Sequence, residues 1–326
     1  MKLYIVYNNN LNHIDICKKG YGASEFQFYM LAKKLANHNF DVTVFNQSNI
    51  NNTIDNITYR KYSDIFNGIN IDTSAIVIVM RFFQTALDLL KYFPVNNINI
   101  WAHDYLEKYD ASISSKINEN NIKIIAVSNF HKKNLSRFFN SDNITTIYNI
   151  LYSDIYKKQD NINIIKDNIV FASAWAKGLD RIISLFDKLY LKYPQFRLVL
   201  LKPIYSKCIS PKRDYIQLFN TVDNKEEYSR LLQSSLCTIT SEFPETFGCV
   251  FAESYYLNTP VIATNKINGL HEFINNDHIC NLRIYEEFEK ILLNIYENRP
   301  YVSLDNNLID DNGINQWINY FRNNYQ

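Results

Sequence analysis

Residues 241–253 of the chain read SEFPETFGCVFAE, and residues 258–264 read NTPVIAT. The first stretch places two glutamates, Glu245 and Glu253, on either side of Gly248. Apolar runs flank it, so the pattern predicts a strand, a loop, a helix beginning near Gly248 and a second strand. The amides at a helix start favour an anion, and a carboxylate accepts hydrogen bonds from paired ring hydroxyls. This stretch therefore predicts a parallel sheet with a sugar or nucleotide site at its edge.

The alternation of short apolar runs with longer helical patterns continues along the whole chain. It predicts an α/β protein with parallel sheets covered by helices. At 326 residues the chain exceeds the size at which one core keeps growing, so two Rossmann-like domains facing a central cleft are expected. The predicted divisions are residues 1–152, residues 153–310 with a polar linker at 153–167, and a C-terminal helix at 311–326 that packs back on the first domain.

Within these domains the apolar runs predict the individual strands. The helix after Gly22 should bury Phe28, Leu31, Ala32 and Leu35, which share one face. Further helices should begin near residues 178, 225 and 248. Strands are expected near residues 3–7, 42–45, 75–80, 98–101, 122–127 and 145–148 of the first domain, and near residues 169–172, 197–201, 236–240 and 261–263 of the second.

Composition excludes several classes of protein. With 47% hydrophobic and 21% charged residues, the chain is too apolar to be disordered. A net charge of +1 gives no global attraction to nucleic acid, so no nucleic-acid partner is expected. The five cysteines are scattered without paired spacing, which favours neither disulfides nor zinc and suits a reducing, cytoplasmic location.

Membrane association is predicted to be peripheral at most. The apolar stretches at the N-terminus and at residues 75–80 are too short for a signal peptide or a membrane span. Lys132, Lys133 and Arg137 alternate with aromatic residues, a pattern that fits either a membrane surface or a core helix with a wet basic face. The second interpretation is favoured, and a peripheral membrane contact stays open.

The loop Gly20-Tyr21-Gly22-Ala23-Ser24-Glu25 follows the first strand. Glycine lets a backbone approach a phosphate closely, although a plain glycine turn is a serious competitor. The loop partly matches the dinucleotide fingerprint, but Glu25 replaces its third glycine and no acidic residue ends the second strand at residues 45–47. A nicotinamide cofactor is therefore disfavoured.

Two further stretches carry polar residues at predicted strand ends. Residues 169–180 read IVFASAWAKGLD and place Lys177 and Gly178 before a helix. A fixed cation there would stabilise a leaving phosphate. Residues 101–104 read WAHD and place His103 after another strand, where a neutral imidazole could bind a sugar hydroxyl. The other histidines are dispersed, and no metal-binding pattern is present.

Together these stretches resemble the retaining family 4 glycosyltransferases of the GT-B fold, which carry a Glu-x7-Glu signature. The resemblance implies that Glu245 meets the donor sugar and Glu253 the nucleotide ribose. It places His103 near the reacting bond and Lys177 at the diphosphate. It further implies metal-independent transfer from a UDP- or GDP-sugar, with no other cofactor, to a glycan or lipid-linked acceptor hydroxyl. The expected donor-binding residues also include Gly22, Gly178, Thr246, Phe247, Gly248 and Cys249.

One departure from the family pattern concerns the loop before Lys177. Many members carry an arginine there, whereas this chain has Ser173, Ala174 and Trp175. Lys202 and Arg213 are weak candidates for the missing charge, since a lysine after a strand is usually just solvated. The departure keeps a second hypothesis open, a catalytically weak sugar-nucleotide binding module. A third is an epimerase or phosphorylase on the same architecture, because fold alone does not fix the reaction.

Overall fold

The computed structural model describes residues 1–9, 22–48, 51–68, 70–201, 212–219, 225–266 and 268–325. These residues divide into two units. Unit 1 contains the described residues up to Ile150 and those from Asp311 onward, and unit 2 contains the described residues 151–310. Each unit has its own sheet and its own apolar core.

The sheet of unit 1 is built around β1 (Lys2–Tyr7), whose residues after Lys2 are all buried. Both faces of this strand are covered, which is typical of a central parallel strand. The strand order is β3-β4-β2-β1-β5-β6-β7-β8, and every pairing is parallel except β3 with β4. The other strands are β2 (Asp41–Asn46), β3 (Thr53–Ile54), β4 (Ile57–Lys61), β5 (Ile76–Met80), β6 (Ile98–Trp101), β7 (Lys123–Ala126) and β8 (Ile144–Thr146).

The helices of unit 1 begin where the sequence offers caps or an apolar stripe. Asp110 and Ser128 cap their helices by accepting from backbone amides of the first turn, a standard way to satisfy helix starts. The predicted face of the first helix, with Phe28, Leu31 and Leu35, is buried. The helices are α1 (Ala23–Asn37), α2 (Phe83–Leu89), α3 (Ala111–Glu119) and α4 (Asn129–Leu135).

The sheet of unit 2 has the strand order β11-β10-β9-β12-β13-β14, with every pairing parallel. The chain therefore builds outward from β9 in one direction and then from β12 in the other. This reversal is the switch point at which doubly wound sheets bind ligands, beyond the carboxyl ends of the strands. The strands are β9 (Ile165–Phe171), β10 (Arg197–Leu201), β11 (Ile216–Phe219), β12 (Ser235–Ile239), β13 (Val261–Thr264) and β14 (Ile279–Cys280).

The helices of unit 2 pack on this sheet through apolar stripes. In α5 the buried residues Leu179, Ile182, Leu185, Phe186 and Leu189 recur at three- and four-residue spacing. Burial of such a stripe removes apolar area from water and fixes the helix on the sheet. The helices are α5 (Leu179–Lys192), α6 (Lys225–Ser234), α7 (Cys249–Tyr256) and α8 (Tyr285–Asn298).

The last helix, α9 (Asp310–Tyr325), packs its aromatic face on the sheet of unit 1. The ring of Trp317 lies 5.0 Å from that of Trp101 at the end of β6. The hydroxyl of Tyr320 donates to Oδ1 of buried Asn99 at 2.6 Å. Gly313 allows the close approach, because a Cβ there would lie 2.8 Å from Cγ2 of Ile150.

The predicted α/β class with two parallel-sheet domains is confirmed, and every predicted strand is present. Strands β6 and β10 have the predicted bounds, and the others have shifted ends. The largest shift is at β9, which begins at Ile165 rather than Ile169. The predicted linker at 153–167 therefore extends too far, since its last residues pair in the sheet. The edge strands β3, β11 and β14 and the strand β4 beside β3 were not predicted, because their sequences lack a continuous apolar run.

In the part of the chain that the structure describes, no helix is long and apolar enough to cross a membrane. The aromatic residues that follow Lys132 and Lys133 face inward: Phe139 stacks on Phe83 with ring centroids 4.8 Å apart. The basic residues lie on the outer side of α4 and beyond it, with Lys133 and Arg137 exposed. The core-helix interpretation of this segment is thus the one the structure supports.

Candidate functional site

The candidate site of unit 2 lies at the switch point of its sheet. Strands β9 and β12 are neighbours there, and their carboxyl ends lead into the two loops that carry the predicted site residues. Lys177 and Gly178 follow β9, while Glu245 and Gly248 follow β12. Parallel strands bring these loops to one edge although they are far apart in sequence.

Gly178 shapes the first loop. It has φ +98° and lies immediately before α5, a left-handed conformation that glycine adopts without cost. A Cβ at this position would lie 3.3 Å from Cβ of Glu242 in the neighbouring loop. The close approach of the two loops therefore depends on Gly178.

Lys177 and Glu245 meet in the gap between these loops. Lys177 Nζ donates to Glu245 Oε1 at 2.6 Å. Ser241 Oγ donates to the same carboxylate oxygen at 3.3 Å, and the backbone carbonyl of Glu245 accepts from the Gly269 amide at 2.8 Å. The carboxylate is thus held between a cation and a hydroxyl, while its main chain is tied to the next loop.

The second loop ends at Gly248, which has φ +89° and precedes α7. A Cβ there would lie 3.3 Å from Cβ of Leu270. Phe247 is buried and packs edge-on against Phe273, with ring centroids 5.9 Å apart. Phe247 and the left-handed Gly248 fix the position of the start of α7. The backbone amides of the first turn of α7 lack partners within the helix. Thr246 and Cys249 flank this turn and are partly exposed.

Glu253 lies on α7 in a buried setting that the sequence did not indicate. Glu253 is 9% exposed, and its two carboxylate oxygens accept from two tyrosine hydroxyls. Tyr156 donates to Oε1 and Tyr228 donates to Oε2, each at 2.5 Å. Burial raises the pKa of both tyrosines well above the usual value, and the neighbouring Glu253 raises it further. Both hydroxyls therefore stay protonated as donors.

Three cations surround Glu242, and the sequence did not predict this cluster. Arg283 Nε lies 2.6 Å from Glu242 Oε1, Lys266 Nζ lies 3.4 Å from the same oxygen, and Arg181 Nε lies 3.9 Å from Oε2. Burial opposes ionisation of Glu242, but Arg283 and Lys266 outweigh it and hold the pKa of the carboxyl below its usual range. Three cations on one carboxylate leave positive charge beside Gly178, in the region where the family resemblance implies an arginine that this loop lacks.

The two weak candidates for that missing charge do not supply it. Arg213 Nε is engaged by Asp187 Oδ1 at 2.9 Å, on the surface of α5. Lys202 lies outside the described residues. Sequence spacing could not have identified Lys266 and Arg283, because each comes from a different loop.

The candidate site of unit 1 lies after β5 and β6. His103 is buried, and its ring lies 4.5 Å from that of Trp101. Burial lowers the pKa of His103 well below its usual value, and the nearby His131 and Arg81 lower it further. His103 is therefore neutral at physiological pH, the form in which an imidazole can bind a sugar hydroxyl.

His131 fixes the loop that carries Asp104. Its Nδ1 accepts from the Val127 amide at 3.3 Å, so its Nε2 carries the hydrogen that donates to the Asp104 carbonyl at 3.0 Å. Burial lowers the pKa of His131 to about 4. A proton on Nδ1 would also face the Val127 N–H, so the neutral ring is the one that fits.

Arg81, which follows β5, connects the end of this strand to Asp104, which follows β6. It donates to both oxygens of Asp104, at 2.8 Å from Nε and at 2.6 Å from Nη2. Its Nη1 lies 3.6 Å from Glu25 Oε1 at the start of α1. Gly22 caps α1 with an ordinary φ of −58°, and a Cβ there would lie 2.4 Å from Glu25 Oε2. Gly20 and Tyr21 of the predicted loop lie outside the described residues.

A pocket of about 250 Å³ opens beside these residues. Its lining includes the apolar side chains of Phe82 and Phe83, the ring of Tyr109 and the polar side chains of Arg81, His103 and Asp104. Pockets of this kind combine apolar contact with a few polar groups that fix orientation. The volume suits one ring rather than a large ligand.

Among the residues that the structure describes, no group of three or more His, Cys, Asp or Glu side chains could hold a metal ion. The polar groups that converge after β9 and β12 are instead the Lys177–Glu245 pair and the cations around Glu242.

Residues 157–309, which form most of unit 2, match the family model described as glycosyl transferases group 1. The match spans the loops that carry Lys177 and Glu245 and the helix that carries Glu253. Among curated proteins no sequence match was found.

Solved structures similar to the whole chain share its fold at low sequence identity. The sucrose-phosphate synthase from Thermosynechococcus elongatus is 12% identical with a TM-score of 0.77, and 99% of each chain is covered. Anabaena HepE in complex with UDP and glucose is 14% identical with a TM-score of 0.70, over 98% of this chain and 99% of that one. A glycosyltransferase from Rickettsia africae is 16% identical with a TM-score of 0.68, over 100% of this chain and 99% of that one.

These similarities assign the GT-B fold of glycosyltransferases to the chain. Together with the matched domain they support the enzyme class expected from the sequence, a glycosyltransferase.

Proposed function

We propose that the chain is a retaining, metal-independent glycosyltransferase that moves a sugar from a UDP- or GDP-sugar to a hydroxyl of a glycan or lipid-linked acceptor. The observation that carries the proposal is the pair formed by Lys177 and Glu245 at the switch point of the matched domain. The proposed donor base draws on similar proteins, one of which was solved with UDP and glucose.

The reaction breaks the bond between the anomeric carbon and the diphosphate oxygen. In the proposed front-face displacement the acceptor oxygen bonds to that carbon on the same face, and its proton passes to the leaving phosphate oxygen. No protein nucleophile is needed. Lys177 would offset the charge that grows on the leaving group, and Glu245 would hold the sugar by its hydroxyls. The anomeric configuration is thereby retained.

Positive charge for the diphosphate would come from more than one element. Lys177 supplies one cation, the amides at the start of α7 supply a partial charge, and Lys266 and Arg283 raise the local potential. This set would compensate for the arginine that is missing before Lys177. It also explains how such a site could work without a carboxylate-bound metal.

The acceptor would bind in unit 1. Neutral His103 can position a hydroxyl without competing for the proton that the phosphate takes. The adjoining pocket, lined by Phe82, Tyr109 and Asp104 among others, fits a ring of the acceptor. Carboxylate and guanidinium groups there can bind ring hydroxyls.

The test is an assay of nucleotide release from UDP- and GDP-sugars, with and without a panel of glycan and lipid-linked acceptors. We expect release that depends on acceptor, a product whose anomeric configuration by NMR matches the donor, and full activity in chelator. Inversion would refute the mechanism, and reversible loss in chelator would refute metal independence. Release of sugar phosphate, or a changed sugar still on the nucleotide, would identify a phosphorylase or an epimerase.

A second candidate is a sugar-nucleotide binding module with little turnover. It is favoured by the absence of arginine at Ser173, Ala174 and Trp175, and by the engagement of Lys177 with Glu245. Calorimetric binding of UDP or GDP without turnover on any acceptor would support it.

We place the enzyme in the cytoplasm, with at most a peripheral membrane contact through Lys133 and Arg137. Co-sedimentation with anionic vesicles at low salt tests the contact. Replacing both residues with glutamine should abolish any binding that they provide.

A further inference from the structure

Glu253 belongs to a buried polar cluster that no sequence motif specifies. Tyr156 precedes β9 and Tyr228 lies on α6, and both reach the carboxylate on α7. Tyr156 is 2% exposed and Tyr228 is 9% exposed. A buried carboxylate that is held by two hydroxyls from separate elements has a fixed position and a fixed plane.

A third side chain adds positive charge to the cluster. Lys225 Nζ lies 5.2 Å from the ring centroid of Tyr156 and 5.0 Å from that of Tyr228. It also donates to the Tyr156 hydroxyl at 3.4 Å, which in turn donates to Glu253. This ordered relay makes Tyr156 a stronger donor and offsets the cost of a buried negative charge.

We propose that Tyr156 and Tyr228 are positioning residues that present Glu253 to the two ribose hydroxyls of the donor nucleotide. This inference rests on the proposed function and on the role that the family resemblance implies for Glu253, contact with the nucleotide ribose. The tyrosines do not touch the nucleotide; they act by fixing the carboxylate. They thereby determine whether the enzyme distinguishes ribose from deoxyribose.

The acceptor capacity of the carboxylate supports the assignment. A carboxylate has about four acceptor sites, and the two tyrosines use one site on each oxygen. One site on each oxygen then remains, which matches a vicinal pair of hydroxyls on a ribose. A group already held in its binding orientation loses less freedom when the ligand arrives. A mobile glutamate would bind the same hydroxyls more weakly.

The experiment compares the affinities of UDP and 2′-deoxy-UDP, and of GDP and 2′-deoxy-GDP, by calorimetry on the full chain. The variants are Tyr156→Phe, Tyr228→Phe and the double variant. The matched control is Tyr255→Phe, which likewise removes a tyrosine hydroxyl. Tyr255 is a buried residue of α7, and its hydroxyl accepts from the Asn275 amide at 3.4 Å rather than bonding to Glu253. Thermal unfolding of each variant verifies that it folds.

We expect the natural protein to prefer the ribonucleotide by about 10-fold, since an unmatched polar group in such a site is costly. Each single variant should lose roughly 3- to 10-fold in affinity for the ribonucleotide and little for the deoxynucleotide. The double variant should have almost no preference, and Tyr255→Phe should retain it.

Equal losses for both nucleotides would overturn the inference, because a purely structural role affects them alike. Tighter ribonucleotide binding in the variants would also overturn it and would show that the tyrosines compete with ribose. If the natural protein binds UDP but does not prefer it over 2′-deoxy-UDP, this inference fails while the proposed function stands. If it binds neither UDP nor GDP, the proposed function fails and this inference falls with it.

Discussion

Nζ of Lys177 lies 2.6 Å from Oε1 of Glu245, so two groups 68 positions apart in sequence neutralise each other at the edge of one sheet. Their side chains are 44% and 24% exposed. An ion pair with this exposure contributes only about 0 to 1 kcal/mol. Opening it therefore costs little, and both groups are available to a bound donor.

The first prediction concerns this pair as a unit. Lys177→Met and Glu245→Gln should each lower kcat, and the double variant should lose less than the product of the two effects, because both groups act on one transition state. Steady-state kinetics on all four proteins give the coupling. The control is the exposed pair Lys192 and Glu289, 3.0 Å apart, where the same replacements should leave kcat unchanged. Strictly multiplicative effects at Lys177 and Glu245 would show independent roles.

Glu245→Gln alone should reduce turnover far more than nucleotide affinity. A carboxylate on the sugar interacts more strongly as the anomeric carbon becomes positive, so its loss should appear mainly in the chemical step. The expected decrease in kcat is on the order of 100-fold, by analogy with loss of one preorganised contact. Calorimetry with UDP and GDP measures the nucleotide affinity of the variant. Near-normal turnover would mean that Glu245 only holds its loop, whereas equal losses in both measurements would place it on the nucleotide.

Gly248→Ala should weaken nucleotide binding as well as stability. Its φ of +89° is unfavourable for alanine, and the new Cβ would push against Leu270 at 3.3 Å, which would move the start of α7. Gly68→Ala is the control, because Gly68 has φ +67° with nothing within 4 Å of the added Cβ. Each should lose roughly 1 kcal/mol or more in urea unfolding. Only Gly248→Ala should lose affinity for UDP or GDP, and retained affinity would refute the proposed role of this helix start.

Stability should decrease as the pH falls below about 6.5 because of buried His131. Its pKa is lowered to about 4 in the folded chain, so the unfolded chain binds a proton first. The stabilisation is complete above pH 6.5 and is lost progressively toward pH 4, by about 3 kcal/mol in total. Neutral His103 adds to the same trend. Urea unfolding between pH 7.5 and pH 5 measures the slope, and His131→Asn should flatten it. If the free energy of unfolding of the natural protein changes with pH no more steeply than that of His131→Asn, His131 is not the group responsible.

Phe82→Ala and Asp104→Asn should raise the KM for acceptor while the affinity for nucleotide stays near that of the natural protein. Phe82 lines the pocket with its apolar ring, and Asp104 lines it with a carboxylate that is paired with Arg81. The expected increase is roughly 10-fold for each, the effect of one lost contact of 1 to 2 kcal/mol. Tyr92→Ala serves as the control, since Tyr92 is an aromatic residue of unit 1 with similar exposure, 37% against 39% for Phe82. An unchanged acceptor KM would remove the pocket from the acceptor site.

The sequence by itself determined the alternation of strands and helices. Buried parallel strands such as β5 and β6 are continuous apolar runs, and helices such as α1 carry a stripe at three- and four-residue spacing. These signals are local, so they do not depend on what the chain packs against. Lys177, Gly178, Glu245 and Gly248 were identified from short polar or glycine-containing loops directly after apolar runs, together with the resemblance of these loops to glycosyltransferase motifs.

The tertiary structure alone decided which of those groups meet and what surrounds them. Tyr156 and Tyr228 reach Glu253 from separate elements, and Lys266 and Arg283 reach Glu242 from separate loops. The local sequence around each of these tyrosines and cations does not indicate its partner. The pairing of Lys177 with Glu245 is likewise not indicated by the sequence of either loop. The physical reason is that parallel pairing brings the carboxyl ends of β9 and β12 together regardless of their distance in sequence, and that packing of α6 on α7 brings Tyr228 to Glu253. Burial then sets the protonation state of each group, so that His103 is neutral and both tyrosines remain donors.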